Sequence, residues 1–356
     1  MSQPVVVREL GFVRASFALG PLSFEVPAGG RLAIVGPSGS GKTTLLRCLA
    51  GLERPARGSI AIGTQVVADD RTNVPPDRRG IGLVFQDGAL WSHMTALQHL
   101  QFAAPGLPAT AALALLDRGG LLHLAARKPA SLSGGEAQRL GLLRAIAPSP
   151  AVLLLDEPLR SVDVHQRDAL VLLLRTLTDE RGLTSVLVTH DRDEALALAT
   201  DLVVLHEGRL VEQGPALRLL QQPQTAFTAA FLAGAACLPT TADGAARVRT
   251  PFGAFARPTG VAADLRLVLL PGDATAAAPG AGSAAGTAGA LGRVLATLPA
   301  DDGFTVRVAL GDQIVHARAA EGCPPGATVL LTLRRPPRLL PWDRGASAPP
   351  AAAEQR

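Results

Sequence analysis

RLAIVGPSGSGKTTLLRCLAGL, residues 31–52, is the stretch from which the rest of the chain can be read. RLAIVG (31–36) is a short apolar strand running into a glycine-rich turn, and TTLLRCLAGL (43–52) then carries helical spacing. GPSGSGKT (36–43) has the required residue at every position of a phosphate-cradling loop, after a strand and before a helix. Small residues there let successive backbone N–H groups wrap a phosphate, and the helix N-terminus adds its partial positive charge. The loop and the residue after it comprise Gly36, Pro37, Ser38, Gly39, Ser40, Gly41, Lys42, Thr43 and Thr44. Lys42 is placed to pair the β- and γ-phosphates of a nucleoside triphosphate, and the Thr43 hydroxyl to ligate Mg²⁺. The motif by itself leaves the chemistry open.

Such a loop needs a carboxylate on a neighbouring strand. AVLLLDE (151–157) supplies one: Asp156 ends an apolar strand and is expected to hold the Mg²⁺ shell. Glu157 follows it, placed to act as general base on a water that attacks the γ-phosphate. A third buried strand is SVLVTH (185–190), and LVVLHEGRLVEQG (202–214) has the apolar–turn–apolar form of a hairpin. A helix-rich stretch occupies roughly 95–147. Strands alternating with helices from residue 5 to about 235 predict an α/β domain, 1–235, with a helical subdomain at about 87–147.

Past residue 238 the pattern changes to short alternating segments, RLVLL (266–270), FTVRVAL (304–310), QIVHARA (313–319) and TVLLTL (328–333). They predict a small all-β domain over 236–343. The segment 274–290, ATAAAPGAGSAAGTAGA, carries too little apolar surface to order itself and is expected to be a flexible loop. The tail 344–356 is expected to be disordered.

Composition narrows the classes further. Hydrophobic residues make up 47% of 356, yet no apolar run approaches the length that crosses a bilayer. MSQPVVVREL lacks the basic start and apolar core of a secretory signal, so a soluble, cytoplasmic chain is expected. Cys48, Cys237 and Cys323 are isolated, which argues against a metal cluster or disulfide framework. A net charge of +4 carried by scattered arginines, with lysine only at Lys42 and Lys128, is not a nucleic-acid surface. With no Tyr in the chain, a coding-composition bias accounts for the arginine excess.

LSGGE (132–136) narrows the reading again. Read alone, SGG is a small-residue turn. Here Ser133 can cap the helix EAQRLGLLRAIA, leaving the N–H groups of Gly134 and Gly135 free for an anion. SLSGGEAQRLGLLRAIAPSPAVLLLDEPLRSVD (131–163) closely resembles the ABC ATPase family, a class of P-loop NTPases, and the resemblance covers roughly 5–235. It implies ATP and Mg²⁺ as cofactors. It also implies that Gln86 matches the Q-loop, sensing Mg²⁺ and water, that Asp163 matches the D-loop aspartate, and that His190 matches the switch histidine at the γ-phosphate. In this family two ATPase subunits close head to tail, each ATP lying between one subunit's phosphate loop and the other's LSGG. A γ-phosphate shared across an interface gives ATP different affinity for open and closed states, as a conformational engine requires.

Four positions depart from the family's pattern. Val13 falls where an adenine-stacking aromatic is usual; Phe12 or Phe17 could replace it, and Phe12 is preferred. The usual SALD reads Arg160-Ser161-Val162-Asp163, which changes contacts expected across the dimer. TALQHLQF (95–102) lacks an acid near Gln98, and the stretch between Gln86 and LSGGE is short. The resemblance implies that this stretch forms the groove for the membrane partner.

PALRLLQQPQTAFTAAFLAGAACLP (215–239) followed by the small β domain is similar to importers whose ATPase carries a C-terminal OB-like (TOBE-type) regulatory domain. The spacing of FLAGAACLP, RVRTPFG and ADLRLVLLPGD looks most like the Fe³⁺, spermidine/putrescine and thiamine importers, with Fe³⁺ favoured. The resemblance implies a permease, a periplasmic or extracellular solute-binding protein acting indirectly, an ATPase homodimer, and a peripheral place on the cytoplasmic face of the inner membrane. No nucleic-acid partner is expected. The rival is a soluble ABC ATPase acting on DNA or ribosomes; the coiled coils, zinc sites and basic arms usual there are missing from the sequence. A non-hydrolysing regulatory module is the third reading, against which Lys42, Asp156, Glu157 and His190 argue.

Overall fold

The computed structural model describes residues 2–343 apart from 16, 87, 161, 245, 259–263, 280–288 and 336–337, and at 164 and 165 the backbone alone. The chain forms two units, Met1–Ala216 and Leu217–Arg356.

In the first unit β1 (Val5–Arg14), β2 (Phe17–Val26) and β3 (Arg31–Val35) are followed by α1 (Lys42–Ala50), β4 (Arg57–Ile62), β5 (Gln65–Ala68) and β6 (Ile81–Val84). Then come α2 (Ala96–Ala103), α3 (Ala109–Arg118), α4 (Gly134–Ile146), β7 (Val152–Asp156) and α5 (Val164–Arg181). The unit ends with β8 (Thr184–Thr189), α6 (Arg192–Leu198), β9 (Asp201–His206) and β10 (Arg209–Pro215). A six-stranded sheet runs β10-β9-β3-β8-β7-β6, parallel except for β10 at its edge. Strands buried on both faces read as continuous apolar runs, and every residue of β8 is buried. A second, antiparallel sheet runs β2-β1-β4-β5. Strands β9 and β10 form the expected hairpin, turning through Glu207 and Gly208, both at positive φ.

Helix α1 joins the two sheets. Its Leu45, Leu46 and Leu49 share one buried cluster with Leu10 and Leu22 of the antiparallel sheet and with Ile34, Leu154 and Val186 of the parallel one. Left-handed Gly41 starts the helix and left-handed Gly51 ends it. The far end is closed by buried Arg79, whose guanidinium donates to Cys48 O at 2.8 Å, Leu49 O at 2.9 Å, Val74 O at 2.7 Å and Asn73 Oδ1 at 3.0 Å. A cation at a helix C-terminus complements the dipole, and these carbonyls lose their partner if it is removed. Arg79→Ala is expected to lower stability by about 3 kcal/mol, read from the denaturation midpoint at constant slope. A change under about 0.5 kcal/mol would show the carbonyls to be satisfied without it.

Helices α2, α3 and α4 pack on one another. Thr95 starts α2 and Ser133 starts α4, each with a reciprocal capping box. No helix among the described residues is long and apolar enough to cross a membrane.

The second unit begins within α7 (Ala216–Gln221) and continues through α8 (Ala226–Ala233), β11 (Ala236–Pro239), β12 (Thr241–Ala242), β13 (Arg247–Thr250), β14 (Gly253–Ala256) and β15 (Leu265–Leu269). It ends with β16 (Ala274–Ala277), β17 (Gly289–Ala300), β18 (Gly303–Leu310), β19 (Gln313–Ala319), β20 (Thr328–Leu333) and β21 (Arg338–Pro341). Strands β16-β19-β18-β17-β20 close into an OB-like barrel, with small sheets β11-β15-β21 and β12-β13-β14 beside it. The division falls earlier than the expected boundary at 235, because Ala226 and Ala229 of α8 pack with Cys237 and Val268.

The segment 274–290, expected to be a flexible loop, is corrected at both ends. Ala274 to Ala277 pair with β20, Ala274 also pairs with Ala317 of β19, and Gly289 and Ala290 pair with Thr332 and Leu331. Ala274 and Ala276 point into a narrow barrel where small side chains fit, and neighbouring strands satisfy the backbone; tertiary pairing overrides a weak local preference. Residues 280–288 and the tail 344–356 lie outside the described residues.

Candidate functional site

Four adjacent parallel strands bring the sequence's candidates to one edge. Val35 is opposite Thr189, so Gly36 and His190 emerge side by side. Asp156 is opposite Val188, and Leu155 opposite Val84, so Asp156, Glu157 and Gln86 leave from neighbouring strand ends. In open α/β sheets ligands bind beyond the carboxyl ends of such strands.

The loop from Gly36 to α1 is shaped by close approach. A Cβ on Gly36 would lie 2.1 Å from Leu205 O, and one on Gly41, at φ +100, would lie 2.8 Å from the Phe17 ring. Lys42 folds back, its Nζ donating to Gly36 O and Pro37 O, both at 2.9 Å. Burial pulls the Lys42 ammonium below its ordinary value, against the attraction of Glu157 and Asp156. A desolvated cation at the start of a helix after a glycine-rich turn suits an anion.

Asp156 carries the complementary feature. Burial and then the charge of Glu157 push its carboxyl up, while Arg47, a hydrogen bond with Thr43, and Lys42 pull it down. Its Oδ1 is buried without a hydrogen-bond partner. An orphaned carboxylate oxygen beside a hydroxyl is the oxygen donor set that suits Mg²⁺. Gln86 is half-buried past the end of β6.

Glu157 stands in the left-handed region at φ 45, a conformation costing about 1 kcal/mol and held by its surroundings. Its N–H donates to Val188 O at 3.0 Å. The carboxylate is 13% exposed and held on both oxygens: His190 Nδ1 lies 2.9 Å from Oε1, and Arg160 Nη1 2.8 Å from Oε2. Burial pushes this carboxyl up, but the hydrogen bonds and charges of His190 and Arg160 outweigh it and hold it below the ordinary glutamate value. It is therefore ionised at neutral pH.

The other candidates sit at the starts of α4 and α5. Ser133 and Gly134 are exposed at the start of α4, where Ser133 N donates to Glu136 Oε2 at 2.7 Å and Glu136 N to Ser133 Oγ at 3.3 Å. Gly135 is buried against Gln166, whose Oε1 would lie 1.8 Å from an added Cβ. Among the described residues no hydrogen bond joins Ser133, Gly134 or Gly135 to the phosphate loop of the same chain. Asp163 starts α5 without a side-chain capping bond.

Phe12, preferred for the base, requires correction. It is 6% exposed, paired with Leu19 in the middle of the antiparallel sheet, and belongs to the core cluster. Phe17 instead borders a cavity of about 220 Å³ with Gly39, Gly41, Lys42, Thr43 and Thr44. Strand periodicity decides this: Phe12 faces inward and Val13, its neighbour, outward.

Three connections escaped the sequence reading. Gln138 Nε2 of α4 donates to Pro158 O at 2.9 Å, tying the glycine-headed helix to the loop after Glu157. Arg160 meets Glu157; its presence was visible in sequence, its partner was not. Glu194 is buried, accepting from Leu159 N at 3.2 Å and from the Thr189 hydroxyl, so it bridges the loop after Glu157 and the strand before His190. Within THDRDEAL it reads only as an acid in a helix's first turn.

A family model described as ABC transporter matches residues 19–160. The chain is 46% identical over 243 residues to the Fe(3+) ions import ATP-binding protein FbpC of Pseudomonas fluorescens, covering 66% of this chain and 69% of that protein. It is 40% identical over 299 residues to the sulfate/thiosulfate import ATP-binding protein CysA of Mycobacterium tuberculosis, covering 82% and 78%. Among solved structures it resembles the dimeric post-hydrolysis state of an ATP-binding cassette bound to ADP and Pi. The TM-score there is 0.53 at 29% identity, over 60% of this chain and 98% of the other.

Proposed function

The chain belongs to the ABC transporter family as an importer-type, ATP-hydrolysing ATP-binding subunit, and we propose that it powers import of Fe³⁺. The observation that supports the engine is that Asp156, Glu157, His190 and Gln86 leave from the ends of adjacent parallel strands, with Lys42 at the start of α1 close enough to feel the charges of Asp156 and Glu157. Lys42 and the loop N–H groups bind the β- and γ-phosphates, and Phe17 faces the base. Asp156, Thr43 and Gln86 would hold Mg²⁺, which when bound neutralises charge on the phosphates. Glu157 accepts the proton of the attacking water, and His190 orients that carboxylate. Ser133, Gly134 and Gly135, with Asp163, serve a second copy of the chain across a head-to-tail dimer. Ser133, Gly134 and Asp163 are exposed, and among the described residues no hydrogen bond ties the glycine turn to the phosphate loop of the same chain; both observations support this reading, as does the dimeric state of the similar cassette.

A permease supplies the pore, with a solute-binding protein delivering to it, and the chain sits peripherally on the cytoplasmic face. A groove of about 380 Å³ lined by Phe85, Ala89, Trp91 and Ala103 supports permease docking. The higher identity to the Fe(3+) relative favours iron as cargo. Sulfate or thiosulfate is the second reading, favoured by a match that runs further along the chain.

Isolation of the complex from its native membrane in mild detergent tests both layers. A permease co-purifying with the chain, together with loss of radiolabelled Fe³⁺ uptake on deletion, is the expected result. Loss of sulfate uptake instead would replace the cargo and keep the engine. Ribosomes or nucleic acid without a permease would move the assignment to the soluble class.

A further inference from the structure

Arg160 sits three residues after Glu157 in a turn closed by Arg160 N donating to Glu157 O at 3.2 Å. The backbone before it is pinned twice: Pro158 O accepts from Gln138, and Leu159 N donates to Glu194. The Arg160 side chain is the free part of this segment, 54% exposed, and its guanidinium covers Glu157 Oε2 while His190 covers Oε1. A general base needs an acceptor lone pair turned to the water. With a guanidinium on one carboxylate oxygen and an imidazole on the other, both oxygens are already engaged.

We propose that Arg160 is a positioning residue that restrains Glu157 in the resting chain, so that hydrolysis proceeds only after this ion pair opens. The inference rests on reading Glu157 as the proton acceptor. Because the cation is half in solvent, the pair is weak, and a half-exposed pair is the kind that another anion or a closing interface can break. A buried pair at this position would lock the site instead. The restraint therefore suppresses idle turnover without preventing driven turnover.

Steady-state hydrolysis by the full chain with Mg·ATP tests this. Arg160→Ala and Arg160→Gln are expected to raise basal kcat about two- to fivefold at unchanged KM, the range a half-exposed ion pair supports. Arg160→Lys, which keeps the charge, is expected to stay near the wild-type rate. The double variant R160A/E157Q is expected to be as inactive as E157Q. An unchanged or lower kcat in both neutral variants, with melting temperature preserved, would overturn the restraint. A rate gain that persists in the double variant would also overturn it, since the effect would then bypass Glu157. Wild-type turnover by E157Q alone would reject Glu157 as the proton acceptor and the restraint with it.

Discussion

Glu157→Gln is expected to lower steady-state ATP hydrolysis about a thousandfold while leaving Mg·ATP binding near wild type. The amide keeps the size of the carboxylate and can still accept from one of its two donors, but it cannot take a proton from water. Arg160 can only donate, so the amide must turn its oxygen to Arg160 and its NH₂ to His190, whose Nδ1 accepts only in the Nε2–H tautomer. Removing the charge also relieves Asp156, whose carboxyl is pushed up in part by Glu157. Nucleotide should therefore persist bound and unhydrolysed, and an ATP-dependent dimer should accumulate in sedimentation. A rate within about tenfold of wild type would remove Glu157 from the chemistry and leave it a structural role.

Glu194 yields the second large effect, in stability rather than turnover. It is 6% exposed, and burial pushes its carboxyl up to about 7 from 4.5. Hydrogen bonds from Thr189 and Leu159 and the charge of Arg167 oppose that rise, and the charge of Asp191 adds to it. The folded-state value lies above the unfolded one, so between about pH 4.5 and 7 the native chain binds more protons than the unfolded chain. The stability this provides is complete below 4.5 and is lost as pH rises through about 7. Glu194→Gln does not titrate. Relative to wild type it is expected to gain about 3 kcal/mol across that window and then run parallel above it. Urea denaturation at a series of pH values reads this directly. A wild-type-to-variant difference that stays flat across the window would show that Glu194 ionises in the fold as it does in water. Since the same carboxyl bridges Leu159 and Thr189, Glu194→Ala should in addition loosen the loop after Glu157 relative to His190.

The phosphate loop was legible because its chemistry is local. Gly36 and Gly41 shape the turn between β3 and α1, Lys42 and Thr43 start the helix, and their spacing is fixed by the chain itself. Asp156 and Glu157 were legible for the same reason, at the end of an apolar strand whose partners needed no identification. The aromatic beside the loop was not, since Phe12 and Phe17 lie on different strands and only the packed sheet puts Phe12 in the core and Phe17 against the loop's cavity. The segment 274–290 failed at its ends because Ala274 and Ala276 draw their order from neighbouring strands far along the chain.

The sequence alone determined the α/β engine, its nucleotide chemistry and the OB-like second unit, because strand–loop–helix periodicity and loop stereochemistry are encoded in adjacent residues. Tertiary structure alone decided which side chains meet. The pairing of Arg160 and His190 on opposite oxygens of Glu157, the capping of α1 by Arg79, and the bridge made by buried Glu194 each depend on strands and helices brought together from distant positions, or on a turn held by them. Burial and charge partners are properties of the packed interior, and they are what set the reactivity of the carboxylates that the sequence could only locate.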